Sequence, residues 1–108
     1  MPKIIPITEV LAKNWLANVP DDKLFWCRDG KVISNTSELE LALRGMDVET
    51  FRFHCNETKC DFANWVQDVI GDEKLARDLR KSDAPVVAAE KVKNRIIFLE
   101  ERAGIKRV

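Results

Sequence analysis

The stretch "DFANWVQDVIGDEKLARDL", residues 61–79, contains the strongest helical pattern in the sequence. Four of its apolar residues follow the i, i+3, i+4, i+7 spacing that places side chains on one face of a helix, namely Phe62, Trp65, Val66 and Val69. Asp61 and Asp72 are expected to cap two consecutive helices, and the glycine between them is expected to end the first. The stretch therefore predicts a helix pair, with Phe62 and Trp65 as core anchors.

Three further helices are predicted before this stretch from caps and apolar spacing. Thr8 can cap a first helix, because its hydroxyl can accept a hydrogen bond from the first turn. Ser37-x-x-Glu40 reads as a capping box and is expected to begin a second helix. Asp47 can cap a third, short helix with Phe51 as its core anchor.

A β-hairpin is predicted within "KLFWCRDGKVIS", residues 23–34. Asp29-Gly30 suits a two-residue type I′ turn, which needs positive φ at both positions. In that register the facing pairs are Cys27 with Val32 and Trp26 with Ile33. Apolar side chains stand on both faces of the first strand, so Trp26 is expected to be a core anchor under the helices.

The whole chain, residues 1–108, is expected to form a single domain. Residues 1–7 predict an extended apolar arm, and residues 83–104 predict a long C-terminal helix with proline in its first turn. The fold class is therefore α+β, with one β-hairpin packed against about six mostly short helices.

Composition argues against two classes of partner. The 18 basic residues are balanced by 18 acidic residues, whereas nucleic-acid binding usually relies on a basic excess. Acidic Asp72 and Glu73 also occupy the helix junction where a phosphate would sit, so no nucleic-acid partner is expected. No run approaches the roughly 18 apolar residues of a membrane span, and the first residues lack the pattern of a signal peptide. We expect no membrane insertion and a cytoplasmic location.

Few residues are available for catalysis. The sequence has one histidine, no tyrosine and none of the common phosphate-loop, nucleophile-elbow or zinc-protease motifs. The carboxylates of Asp61, Asp68 and Asp72 could be paired for acid–base work, but two of them are natural helix caps. A zinc site would need Cys27 from the hairpin as well as Cys60. We therefore expect no catalytic residue, metal or cofactor.

Cys55 and Cys60 are the sharpest chemical feature of the sequence. Four residues separate them, and a loop of that length can bring their Cα atoms within the ~4.4–6.8 Å of a disulfide. An odd total of three cysteines does not resemble a secreted disulfide framework. Two interpretations stay open, a redox-active pair and two packed structural cysteines.

The segment "HCNETKCDFANWVQDVIGDEKLARDL", together with "NVPDDKLFWCRDGKVISNTSELELAL" before it, resembles a prokaryotic domain-of-unknown-function family that is common in archaea. The resemblance covers about residues 19–79 and implies a small accessory or interaction module without transferring catalytic residues. The matching positions are His54, Asn56, Asp61, Phe62, Trp65, Asp68, Gly71, Asp72, Leu75 and Ala76. Cys55 and Cys60 depart from the family pattern, in which an aliphatic and a polar residue stand there. This favours a paired role for the two cysteines in this protein.

These observations predict a small, non-catalytic accessory or regulatory subunit that binds a larger protein. The physical reason is surplus apolar surface, in the N-terminal arm and off the main stripe of the C-terminal helix at Val86, Val87, Ile97 and Phe98. The alternative is a thiol-redox sensor in which Cys55 and Cys60 control docking to the partner.

Overall fold

The structure is a computed structural model that describes residues 6–105. Its fold class is α+β, as the sequence predicted. The helices are α1 (Glu9–Leu16), α2 (Thr36–Arg44), α3 (Val48–His54), α4 (Asp61–Trp65), α5 (Glu73–Arg80) and α6 (Pro85–Arg102), and the strands are β1 (Phe25–Trp26) and β2 (Val32–Ile33). A single turn of 3₁₀-helix, Asp21–Lys23, precedes β1. The first five residues of the predicted arm lie outside the described part, and the long helix is shorter at both ends than residues 83–104.

Helix α6 forms the central support of the core. Its buried residues recur every three or four positions and form a stripe along the helix; they include Ala88, Val92, Ile96 and Leu99. Helices α1, α2 and α5 all pack against α6. The hairpin and helices α3 and α4 complete the core, where Phe51 and Phe62 are fully buried and stack with ring centroids 6.0 Å apart.

Most of the predicted caps are present. The side chains of Thr8, Asp47 and Asp72 each accept a hydrogen bond from the first turn of the helix they precede. The capping box of α2 is one exception, because Asn35 rather than Ser37 is the cap. Asn35 accepts the backbone N–H of Glu38 at 2.8 Å, and the Glu38 carboxylate reaches back to Ser34. Asparagine caps helices as well as serine does, so α2 begins earlier than predicted.

The helix beginning at Asp61 differs from its prediction in two ways. Cys60 occupies the N-cap position without a side-chain hydrogen bond, and Asp61 lies inside the first turn. The α-helix also changes to a π-helical segment, Val66–Ile70, before Gly71 ends it with φ +97°. The N–H of Gly71 bonds the carbonyl oxygen of Val66 at 2.7 Å, the five-residue closure of a π turn.

The predicted register of the hairpin is wrong by one residue. Cys27 and Lys31 close a three-residue loop, since the N–H of Cys27 bonds the carbonyl oxygen of Lys31 at 2.9 Å. Only Gly30 within this loop has a positive φ. The Asp29 carboxylate accepts the N–H of Lys31 at 3.0 Å, which holds Asp29 at negative φ and lengthens the loop by one residue. The facing pairs are therefore Phe25 with Ile33 and Trp26 with Val32.

This register places Trp26 on the surface, so its prediction as a core anchor is wrong. Trp26 is 71% exposed, whereas its neighbour Phe25 is buried. Successive side chains of a strand point to opposite faces, and Phe25 occupies the inward position. The other predicted anchors, Phe51, Phe62 and Trp65, are all buried.

Candidate functional site: the Cys55–Cys60 disulfide and the His54 bridge

Cys55 and Cys60 form a disulfide. The two residues face each other in an isolated antiparallel bridge with their Cα atoms 3.9 Å apart. Cys55 follows α3 and Cys60 precedes α4, so the disulfide ties the end of one helix to the start of the next. Both residues are buried, with 5% and 6% of their surface exposed.

The loop inside the disulfide is held by Asn56. Its Oδ1 accepts the backbone N–H groups of Thr58 and Lys59, at 2.9 Å and 3.2 Å. Its Nδ2 donates to the carbonyl oxygen of Arg52 in the last turn of α3 at 2.9 Å. Asparagine favours such local side-chain turns, which bring the chain back on itself. Asn56 therefore helps to bring the two cysteines together.

His54 connects the disulfide region to the hairpin. Its Nε2 accepts the backbone N–H of Arg28 at 2.9 Å, so the ring proton of neutral His54 must lie on Nδ1. That nitrogen faces Oδ2 of Asp61 at 3.0 Å and donates to it. His54 is buried, and the edge of its ring packs on Phe25 and Phe53. With both nitrogens bonded within the fold, His54 joins the hairpin to α3 and α4.

Asp61 is the acidic partner in this bridge. Its Oδ2 also receives Nζ of Lys59 at 3.0 Å. Burial by itself raises the pKa of the carboxyl, but the hydrogen bonds from His54 and Lys59 outweigh it and lower the pKa below its ordinary 3.8. The stabilisation from the ionised carboxylate is therefore present above that ordinary value and is lost as the pH falls through the lowered pKa.

This dependence on pH predicts the behaviour of Asp61→Asn. At pH 7 the substitution should lower the free energy of unfolding by about 1 kcal/mol, because one charged hydrogen-bond acceptor is lost at a partly exposed site. In acid the deficit should shrink, since the parent carboxyl becomes protonated as the pH falls through its lowered pKa. Urea unfolding at pH 7 and pH 2.5 measures both values. Asp68→Asn is the matched control. It should leave the free energy of unfolding close to that of the parent at both pH values, because Asp68 is exposed. An equal deficit for Asp61→Asn at both pH values would contradict the assignment.

Asp72 lies in a separate buried ion pair. Its two oxygens receive Nε and Nη2 of Arg95 at 2.8 Å and 2.9 Å. Oδ1 also accepts the N–H of Leu75 at 3.2 Å, the predicted cap. Arg95 was not among the residues predicted to form a site, although its position in the sequence carries a signal. Arg95 stands three residues after Val92 and four before Leu99, so it is a cation on the buried stripe of α6.

The predicted acidic residues do not converge on one site. Asp61 bonds His54, Asp72 pairs with Arg95, and Asp68 is exposed with no hydrogen-bond or ion-pair partner in residues 6–105. Over the same residues, no group of three or more potential ligands is placed to hold a metal ion. The third cysteine, Cys27, is a free buried thiol whose pKa is raised, first of all by burial.

A second candidate surface lies on the outer face of the hairpin. Trp26 and Val32 face each other there, and both are exposed. Beside Val32 a shallow cleft of about 310 Å³ separates β2 from α2, and Leu41 lines it with 69% of its surface exposed. We call Trp26, Val32 and Leu41 the apolar hairpin surface. This surface was not predicted from the sequence, because Trp26 was expected to lie in the core.

Comparison with known proteins adds no relative. No family model, curated protein or solved structure matches this chain. The resemblance to a prokaryotic domain-of-unknown-function family therefore stays a prediction. Within the described part of the chain, no helix has both the length and the apolar character needed to cross a membrane.

Proposed function

We propose that the protein is a small, non-catalytic regulatory subunit of the cytoplasm that docks onto a larger protein through the apolar hairpin surface. The exposed Trp26 supports this proposal above all other observations. Tryptophan is enriched at the energetic centres of protein interfaces, where it buries a large apolar area with few rotatable bonds. On a free surface the same side chain has an unfavourable hydration cost.

The residues beside the hairpin support a partner of mixed chemistry. The cleft beside Val32 is lined by the apolar Leu41 and Ala42 and by the charged Lys31 and Glu38. A partner segment with one apolar side chain for the cleft and polar groups for these two charges fits this arrangement. Nucleic acid does not, since its phosphates would meet an apolar face, and the expectation of no nucleic-acid partner stays a prediction.

Site-specific photo-crosslinking tests the docking surface. A photoreactive residue at position 31, placed in cells of the source organism, should give one discrete adduct with a larger protein. Trp26→Ser in the same chain should remove it. Once the partner is identified and purified, Trp26→Ser should raise the dissociation constant of the complex by about thirtyfold, the effect of losing a hot spot of about 2 kcal/mol.

Position 13 provides the matched control for crosslinking. Lys13 on α1 and Lys31 are about equally exposed, with side chains 55% and 52% accessible. The photoreactive residue at position 13 should give no such adduct. The docking proposal fails if both positions give the same products, or if Trp26→Ser leaves the adduct and the measured affinity unchanged.

A second candidate function is a thiol-redox control of this docking, and the Cys55–Cys60 disulfide favours it. His54 is adjacent to Cys55, and its partner Asp61 is adjacent to Cys60. The ring of His54 also holds the N–H of Arg28, which lies two residues after Trp26. Opening the disulfide would therefore loosen the His54–Asp61 pair and, through Arg28, the hairpin that carries Trp26.

Amide hydrogen exchange measures this coupling directly. Reduction, or the double substitution Cys55→Ser/Cys60→Ser, should speed exchange of the Arg28 amide by about tenfold, equivalent to the loss of one hydrogen bond. Partner affinity should change in the same samples. If the Arg28 exchange rate and the partner affinity are the same with and without the disulfide, the disulfide has a structural role and does not control docking.

The effect of the disulfide on global stability should be small. It closes a loop of only a few residues, so reduction should lower the free energy of unfolding by at most about 2 kcal/mol. Urea unfolding with and without reductant, followed by circular dichroism, provides the value. A loss above 4 kcal/mol would mean that the disulfide is required for the fold, and that it does not act as a switch within a stable one.

A further inference from the structure

The cysteine pair is bordered by two clefts that share one arginine. The larger cleft has a volume of about 500 Å³ and is lined by Cys55 together with Arg52, Arg80 and Lys81. The smaller, of about 300 Å³, is lined by Cys60 together with Lys59 and again Arg80. Each half of the disulfide therefore lies in the wall of a cleft to which Arg80 also contributes.

Among residues 6–105, no carboxylate lies within ion-pair distance of Arg80. Its Nη2 donates to two neutral amide oxygens, Oδ1 of Asn64 at 3.2 Å and Oε1 of Gln67 at 2.9 Å. The larger cleft also contains Glu57 and Asp83, so three cations and two carboxylates leave it with one net positive charge. An anion is therefore favoured next to Cys55.

The two sulfur atoms differ in their surroundings. Sγ of Cys55 lies 3.9 Å from the carbonyl oxygen of Leu79, whose partial negative charge disfavours a thiolate at that sulfur. The cleft at Cys60 is lined by Lys59, Arg80 and Glu57, so it has the same net positive charge as the cleft at Cys55. The contact with the Leu79 carbonyl therefore makes Cys60 the better leaving group of the pair.

We propose that the larger cleft admits anionic thiols, and that Arg80 promotes their exchange with the Cys55–Cys60 disulfide. The incoming thiolate forms a bond to Sγ of Cys55 as the sulfur–sulfur bond breaks, and Cys60 leaves as a thiolate. A second molecule of the thiol attacks its partner in this mixed disulfide and releases Cys55. Two thiols are oxidised to one disulfide, the two cysteines take up the two electrons, and solvent supplies their protons. This site rests on the proposed redox control and names the class of its reductant.

Three small thiols of different charge test the site on the intact protein. They are 2-mercaptoethanesulfonate, which is anionic, 2-mercaptoethanol, which is neutral, and cysteamine, which is cationic. Each rate is divided by the rate of the same thiol with diethyl disulfide, a neutral reference, to remove differences in intrinsic reactivity. One net charge at about 6 Å changes a local concentration about threefold in water. The anionic thiol should therefore exceed the cationic one by about tenfold at low salt, and 1 M salt should remove the preference.

Substitutions of Arg80 test whether this residue is the source of the preference for the anionic thiol. Arg80→Gln should bring the ratio of normalised rates close to one, and Arg80→Lys should keep most of it. Arg77→Gln is the matched control on the same helix, because Arg77 is exposed and lines neither cleft. Arg77→Gln should keep the parent ratio. Circular dichroism melts establish that the variants are folded, and the parent ratio tests the site without any substitution.

The position of the first adduct provides an independent readout. Acid quenching followed by alkylation of free thiols should show the sulfonate thiol on Cys55 and the alkyl group on Cys60. Equal normalised rates for all three thiols, or an adduct mainly on Cys60, would overturn the proposed site while leaving redox control intact. A disulfide that resists all three thiols in the folded protein would overturn both proposals.

Discussion

Replacing Arg95 with methionine should lower the free energy of unfolding by about 3–5 kcal/mol, because it leaves a buried carboxylate without its counter-charge. Asp72 is 0% exposed, and within residues 6–105 the N–H of Leu75 would be the one hydrogen-bond donor left to its side chain. Methionine retains an unbranched apolar stem, so the loss would report the guanidinium rather than side-chain volume. Urea unfolding monitored by circular dichroism measures the change, with the slope m checked for two-state behaviour.

Two further variants separate the ion pair from other causes. Lys93→Met makes a similar change at an exposed position of α6 and should stay within about 0.5 kcal/mol of the parent. The double variant Arg95→Met/Asp72→Asn should be more stable than Arg95→Met alone, because asparagine still caps α5 but carries no charge. An Arg95→Met protein within 1 kcal/mol of the parent would show that water or another group replaces the guanidinium.

The features predicted correctly from the sequence depend on neighbouring residues. Thr8, Asp47 and Asp72 cap their helices by bonding an N–H three residues later, which needs no knowledge of the rest of the fold. The stripe of α6 likewise follows from the period of a helix. The short intervening loop does bring Cys55 and Cys60 together, with their Cα atoms 3.9 Å apart, closer than the ~4.4–6.8 Å expected.

The features that were missed depend on contacts between distant segments. Arg28 and His54 are 26 residues apart, and Asp72 and Arg95 are 23 apart. No local pattern specifies either pair, although the cation on the stripe of α6 indicated that a buried anion was needed. The predicted register of the hairpin was wrong for a local reason. The Asp29 carboxylate accepts the N–H of Lys31 in a loop one residue longer than predicted, and this register places Trp26 on the outer face.

The corrected register of the hairpin bears on function, because Trp26 changes from a predicted core anchor to a candidate docking residue. Both apolar faces of β1 looked suitable for burial, yet only one can face the core. Phe25 occupies that face and packs against Phe62 with ring centroids 5.1 Å apart. Trp26 is thereby left exposed. His54, which is adjacent to Cys55, accepts the N–H of Arg28 two residues after Trp26.

Replacing Trp65 with alanine should lower the free energy of unfolding by about 3–5 kcal/mol, the usual cost of emptying a buried aromatic site. Trp65 is 7% exposed and contacts Phe25 edge-on with ring centroids 5.9 Å apart. Its Nε1 also donates to the carbonyl oxygen of Lys23 at 2.8 Å, which ties α4 to the segment leading into the hairpin. The alanine variant therefore loses both core volume and the connection to β1.

The chain offers a matched control for this substitution in Trp26→Ala, which removes the same side chain from the surface. Trp26→Ala should change stability by no more than about 0.5 kcal/mol, since that side chain is mostly exposed. Trp65→Phe should fall between the two, at about 1–2 kcal/mol, because phenylalanine fills part of the site but cannot donate to Lys23. Urea unfolding of the three variants under identical conditions ranks their free energies of unfolding. If Trp26→Ala proved as costly as Trp65→Ala, the hairpin would have the register first predicted from Asp29-Gly30, with Trp26 inside the core and no apolar hairpin surface for a partner.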